Sequence, residues 1–165
     1  MTDSATTDTT QQKGPQVNWQ AQQGFKILNW NIGGLLSKLS NPELIEYVKS
    51  FDVVCLTETF VQFDIHVNVF TDFNMYIAPA KKLSYHGRLS GGVIVLVKKY
   101  INCYIEKINI DFDQTVILKI NKNFLNTDKD VILLSSYAPP YDSPYYNTTD
   151  YHDGIELIEQ CLTDI

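Results

Sequence analysis

Val53-Val54-Cys55-Leu56 constrains the fold most tightly: four consecutive apolar residues, too short for a helix and rich in β-formers, predict a strand covered on both faces. What precedes it completes a unit. Asn41-Pro42-Glu43 has the composition of a helix start, because Asn can accept from free N–H groups, Pro suits the first helical position and Glu faces the positive end of the helix dipole. Leu44, Ile45 and Val48 then recur at helical spacing, up to an end near Ser50. Further upstream, Phe25, Ile27 and Leu28 lead into Trp30 as a first strand, which Gly33-Gly34 closes in a turn. Strand, short helix and strand in that order predict an α/β layered domain.

The later part of the chain reads as more β. Val93 to Val97 is a second continuous apolar strand. Ile101, Cys103 and Ile105 alternate with Asn102, Tyr104 and Glu106 as on a half-buried strand, and Val116, Leu118 and Ile120 alternate likewise. Asn121 to Asp130 is a polar connection, from which Val131 to Tyr137 pairs back until Pro139-Pro140 stops regular structure. After Asp153-Gly154, the residues Ile155, Ile158, Leu162 and Ile165 fall on one helical face, and the sequence stops on that stripe. An amphipathic helix needs a surface to cover, so the expectation is part of a domain whose continuation is missing. Residues 1 to 24, rich in Thr, Gln, Ser and Asp, are expected as a disordered tail because they hold too few apolar groups to offset the entropy of ordering them.

Several function classes are disfavoured. No run approaches the roughly 20 apolar residues of a membrane-spanning helix, and the first 24 residues lack the charged start and apolar core of a signal peptide. The expected compartment is therefore nuclear or cytoplasmic, and Asn147-Thr148-Thr149 is discounted as a glycosylation acceptor. Cys55, Cys103 and Cys161 lie far apart without a C-x-x-C pair, so they read as small core hydrophobes in place of disulfides or zinc ligands. A net charge of −6 argues against an indiscriminate polyanion binder, yet the charge is segregated. Lys81, Lys82, Arg88, Lys98 and Lys99 form a stretch without acids, whereas Pro139 to Ile165 holds six acids and no Lys or Arg. The basic stretch can serve as a solvated surface or as a set of phosphate contacts.

Three polar residues follow apolar strands at the positions where open α/β folds place ligands: Asn31, Glu58 and Tyr137. Taken singly, each has an ordinary structural explanation. Asn31 can cap the turn before Gly33, Glu58 can be an exposed strand-end carboxylate, and Tyr137 can be a boundary aromatic with a wet hydroxyl. Their contexts, taken together and in order, carry more information: Leu28-Asn29-Trp30-Asn31-Ile32-Gly33-Gly34-Leu35, Leu56-Thr57-Glu58-Thr59, Gly87-Arg88-Leu89-Ser90-Gly91-Gly92-Val93 and Ser136-Tyr137-Ala138-Pro139-Pro140. Over about Phe25 to Ile165 this set resembles the N-terminal part of the endonuclease/exonuclease/phosphatase superfamily. That group includes apurinic-site endonucleases, exonuclease III and the endonuclease domains of LINE-type retrotransposons. The Gly-Arg-x-Ser-Gly-Gly-Val and Tyr-x-Pro-Pro-Tyr-Asp-Ser-Pro runs are most similar to jockey-type retrotransposon endonucleases.

The resemblance implies an α/β fold, a layered α/β-β/α sandwich (DNase I-like), incomplete for want of its C-terminal strands. It implies Mg²⁺-dependent nicking of DNA, with a reverse transcriptase region downstream in a full-length element. Asn31 matches the family Asn that helps hold the scissile phosphate and the metal-bound water and is counted with Glu58 at the metal, Glu58 matches the metal-binding Glu, and Tyr137 a phosphate-contacting Tyr. Lys81, Lys82, Arg88 and Ser90 become candidate nucleic-acid contacts, positioning the phosphates without reading sequence. A single carboxylate is compatible with Mg²⁺, which keeps several waters and takes few protein ligands beside phosphate.

Two departures qualify this. Gly33 stands where apurinic-site endonucleases commonly carry Asp, and the family's Gly-Asp-x-Asn and Ser-Asp-His segments are nowhere in the sequence. Those segments supply the groups that activate water, and His66, His86, His152, Asp142, Asp150 and Asp153 lack a motif that would fix them as substitutes. The expectation is a fragment inactive alone, or alternatively a domesticated remnant that binds nucleic acid or protein without catalysis. Phosphatase chemistry on small phosphoesters is a third reading.

Overall fold

The computed structural model describes residues 24–62, 68–110 and 112–165. The parallel pair that opens the fold arises as the sequence predicts. β1 (Ile27–Asn31) leads through a turn to α1 (Pro42–Lys49), which returns the chain to β2 (Val53–Thr57), and β1 and β2 pair in parallel with Asn31 opposite Thr57. The Asn41 side chain accepts the Leu44 N–H at 3.2 Å and Pro42 opens the helix, so the start signal works as read.

The chain continues through β3 (Phe73–Ala78), a short hairpin whose strands β4 (Lys81–Lys82) and β5 (Leu89–Ser90) have two residues each, and β6 (Val93–Lys98). Next come β7 (Ile105–Ile108), β8 (Thr115–Ile120), the four-residue α2 (Lys122–Leu125), β9 (Val131–Ser136) and α3 (Gly154–Thr163). One sheet has the order β1-β2-β6-β3, with β6 antiparallel to both neighbours, and a second has the antiparallel order β7-β8-β9.

Side-chain alternation assigns the two faces of the first sheet. Val54, Leu56, Ile94 and Leu96 point to α1 and pack with Ile45 and Val48, while Val53, Cys55, Val93, Val95 and Val97 point the other way and pack with Val116 and Leu118 of the second sheet. Helix, sheet and sheet therefore stack in layers. Burying each such side chain contributes about 1.5–3 kcal/mol, which is why the continuous apolar runs of β2 and β6 occupy the centre. No helix among the described residues is long and apolar enough to cross a membrane.

Three expectations need correction. The stretch from Ile101 to Glu106 is not one strand: a 3-10 helix spans Lys99–Tyr104 and β7 begins only at Ile105. Polar side chains fix the turn, with the Tyr76 phenol donating to Asn102 at 2.7 Å and the Tyr100 phenol to Asp52 at 2.5 Å. As a result Cys103 is exposed and is no core residue, unlike the buried Cys55 and Cys161. Lastly, α3 docks through Leu157 and Cys161, one helical turn apart, while Ile155 and Leu162 of the expected stripe are 68% and 60% exposed. The expected tail over residues 1 to 24 falls almost wholly outside the described residues, as does His66.

Candidate active site

Strand pairing brings the predicted residues to one edge of the molecule. Because β1 and β2 are parallel, Asn31 and Glu58 leave their strands side by side, and the pairing runs on beyond them: Gly34 N–H donates to the Glu58 carbonyl at 2.7 Å and Leu35 N–H to the Thr59 carbonyl at 3.0 Å. Because β6 is antiparallel to β2, with Val93 opposite Thr57, the Gly91-Gly92 turn that leads into β6 lies at this same edge. Thr59 N–H donates to the Gly92 carbonyl at 3.2 Å and Phe60 N–H to that of Gly91 at 3.0 Å. In the second sheet Thr115 pairs with Ser136, so Gln114 meets Tyr137, whose N–H donates to the Gln114 carbonyl at 3.1 Å.

Gln114 joins the two sheets. Its Oε1 accepts the Gly92 N–H at 2.9 Å, and the residue is buried. Glycine is required here. A Cβ on Gly91, whose φ is +67°, would lie 1.5 Å from Gln114 Oε1 and 2.5 Å from the Tyr137 ring, and one on Gly92 would lie 2.7 Å from Thr59 Oγ1.

Backbone strain concentrates at the same place. Glu58, Phe60 and Gln114 have φ of 52°, 53° and 53°, a conformation that costs a non-glycine residue about 1–3 kcal/mol and persists where the surroundings over-determine it. Side chains converge as well. Burial raises the Tyr137 phenol's pKa, its hydrogen bond with the Ser90 side chain opposes that, and the nearby Glu58 charge adds a smaller upward push. Asn31 Oδ1 accepts the Gly33 N–H at 3.2 Å, which confirms its turn-capping role and leaves its amide N–H groups without a partner among the described residues.

The basic hairpin borders this edge through Ser90, which pairs with Lys81. Lys81 forms an ion pair with Asp113, the neighbour of Gln114, so its charge is partly engaged. Lys82 Nζ lies 5.8 Å over the Tyr85 ring, and Arg88 is exposed. His86 sits edge-on to Tyr85 at 4.8 Å and His152 Nδ1 is 3.3 Å from Glu156, neither among the converging side chains. Asp153 caps α3, accepting from Ile155 and Glu156 at 2.8 and 3.0 Å, whereas Asp142 and Asp150 line a cavity of about 550 Å³ with Tyr141, Tyr146 and Tyr151. Among the described residues no three His, Cys, Asp or Glu side chains cluster as a metal site.

Sequence reasoning missed Gln114, Thr59 and Lys38. Lys38 Nζ donates to the carbonyls of Ile32 and Gly33, pinning the turn after Asn31. The sequence profile of the Endonuclease/Exonuclease/phosphatase family matches residues 28–161. The chain belongs to this family.

The span matched to the endonuclease/exonuclease/phosphatase family includes the Asn31, Glu58, Gly91-Gly92 and Tyr137 segments. Solved structures share the fold, among them two AP endonucleases. The AP endonuclease LMAP from Leishmania major aligns with a TM-score of 0.50 at 15% identity, over 70% of this chain and 40% of that one. An AP endonuclease from Archaeoglobus fulgidus aligns with a TM-score of 0.53 at 19% identity, over 84% of this chain and 49% of that one. These likenesses establish a DNase I-like α/β fold, and the chain spans less than half the length of either structure. No curated protein matches the sequence.

Proposed function

We propose that residues 25–165 form the N-terminal part of a Mg²⁺-dependent DNA endonuclease domain of the LINE or jockey retrotransposon type, which nicks a target strand ahead of a downstream reverse transcriptase region. The observation that carries the reading is the convergence of Asn31, Glu58 and Tyr137, from three separate strands and both sheets, on one strained edge. A nuclear or cytoplasmic setting goes with this role.

The donor set fits the metal. Glu58 and Asn31, on adjacent strand ends, offer one carboxylate and one carboxamide oxygen, and Mg²⁺ is satisfied by one or two protein ligands together with water and phosphate. When bound, the ion would neutralise charge on the phosphate. Around it, the Tyr137 phenol and the Asn31 amide are positioned to donate to phosphate oxygens, and Ser90, Lys82, Arg88 and the partly paired Lys81 hold the flanking backbone. Activation of water is assigned to the Gly-Asp-x-Asn and Ser-Asp-His segments absent from these 165 residues, so the chain alone is proposed to bind and not to cleave.

The test is Mn²⁺ binding, followed by calorimetry in the presence of a DNA duplex. A single site lost in Glu58→Gln and retained in Glu43→Gln, on α1, is expected; equal binding by the wild type and Glu58→Gln sinks the reading.

A further inference from the structure

The geometry points to Gln114 as the positioning residue of this site: its side-chain oxygen holds the Gly91-Gly92 turn, and through that turn the backbone that presents Glu58. The inference rests on the proposed endonuclease reading for what the site does, while its structural part stands on hydrogen bonds alone.

The connections form an unbroken series. Gln114 Oε1 accepts from Gly92 N–H at 2.9 Å. The Gly92 and Gly91 carbonyls accept from Thr59 and Phe60 at 3.2 and 3.0 Å. The Glu58 carbonyl accepts from Gly34 at 2.7 Å, in the turn that Asn31 caps. On its other side the Gln114 carbonyl accepts from Tyr137 N–H at 3.1 Å. One residue therefore ties Tyr137 in the second sheet to Asn31 and Glu58 in the first.

The residue type suits the task. Gln114 is 2% exposed with φ of 53°, so the fold tolerates strain in order to place this side chain. A carboxylate there would supply the same acceptor, but as a buried charge beside the turn that carries Glu58; a carboxamide supplies it uncharged. The Nε2 group has no partner among the described residues, although a buried amide donor is normally satisfied.

The experiment compares the wild type, Gln114→Met and Gln114→Gly. Methionine keeps length and volume without an oxygen acceptor, and glycine takes the positive φ without strain, so a shared phenotype cannot come from misfolding at the backbone. Amide hydrogen exchange at Gly92 and Thr59 is expected to quicken about tenfold in both variants, with Val95 in β6 unchanged. Mn²⁺ affinity is expected to weaken about tenfold, the usual size of such an indirect effect on a metal site. Unchanged affinity in both variants, against a wild type that binds through Glu58, overturns the inference and leaves the endonuclease reading intact. If the wild type binds no Mn²⁺ through Glu58, the endonuclease reading falls and exchange alone decides: faster exchange at Gly92 and Thr59 upholds Gln114 as the tie, and unchanged exchange overturns it.

Discussion

The Tyr100 phenol donates to Asp52 Oδ1 at 2.5 Å, while Asp52 Oδ2 accepts the Lys26 N–H at 2.8 Å. Together these bonds tie the entry to β1, the start of β2 and the turn after β6 at the sheet end opposite Glu58. Asp52→Ala removes both of these exposed bonds and is expected to cost about 1–2 kcal/mol in urea unfolding, more than Tyr100→Phe, which removes one and is expected to cost about 0.5–1 kcal/mol.

The docking face of α3 gives a sharper contrast. Leu157 is 1% exposed and Leu162 60% exposed, so Leu157→Ala should destabilise by about 2–5 kcal/mol and Leu162→Ala by less than about 0.5 kcal/mol. Comparable losses for the two variants would contradict this docking face, and a larger loss for Leu162→Ala would show that the helix presents the other one.

Gly91→Ala places a methyl group where Gln114 Oε1 sits and imposes a side chain at φ of +67°. A loss of at least about 1–3 kcal/mol is expected, together with weaker Glu58-dependent Mn²⁺ binding. Retained stability with altered binding would locate the strain in the site alone.

Alkaline stability follows from the tyrosines. The buried Tyr145 phenol is pushed up to about 12, chiefly by burial and then by the Asp113 charge. The unfolded chain loses that proton near pH 10. Between those values the unfolded state binds fewer protons than the folded one, so stability is full below about pH 10 and falls as pH rises toward 12. Urea midpoints at increasing pH should show this fall, and Tyr145→Phe should make it shallower.

In a plasmid assay with Mg²⁺ the purified protein is expected to leave supercoiled DNA intact while still binding it. Lys82→Ala and Arg88→Ala should each lower the salt slope of binding by about 1. Robust nicking abolished by Glu58→Ala would show that the missing family segments are dispensable.

Much of this was legible in the sequence where one physical signal dominates a segment. The runs of β2 and β6 can only be covered strands, and Asn41-Pro42 starts a helix almost regardless of context. Legibility fails where two signals compete. Ile101, Cys103 and Ile105 alternate as a strand would, yet the bonds of Tyr76 to Asn102 and Tyr100 to Asp52 favour a 3-10 turn. On α3 a four-residue stripe outweighs Leu157 and Cys161 on paper, while tertiary packing selects the smaller pair. Motif order singles out Asn31, Glu58 and Tyr137 in the sequence. Gln114 is not singled out, because its role exists only once the β8–β9 register and the stacking of two sheets bring it to Gly92.

The place of β6 between β2 and β3 has a consequence for synthesis. On the ribosome, Val53-Val54-Cys55-Leu56 emerges well before Val93 to Val97, the strand that closes its free edge. Until then the nascent chain displays a short, uncharged, β-prone segment of the kind that seeds aggregation. Slower translation across the Lys81–Arg88 hairpin would lengthen that exposure, and chaperone dependence should follow the time between the two strands more closely than final stability.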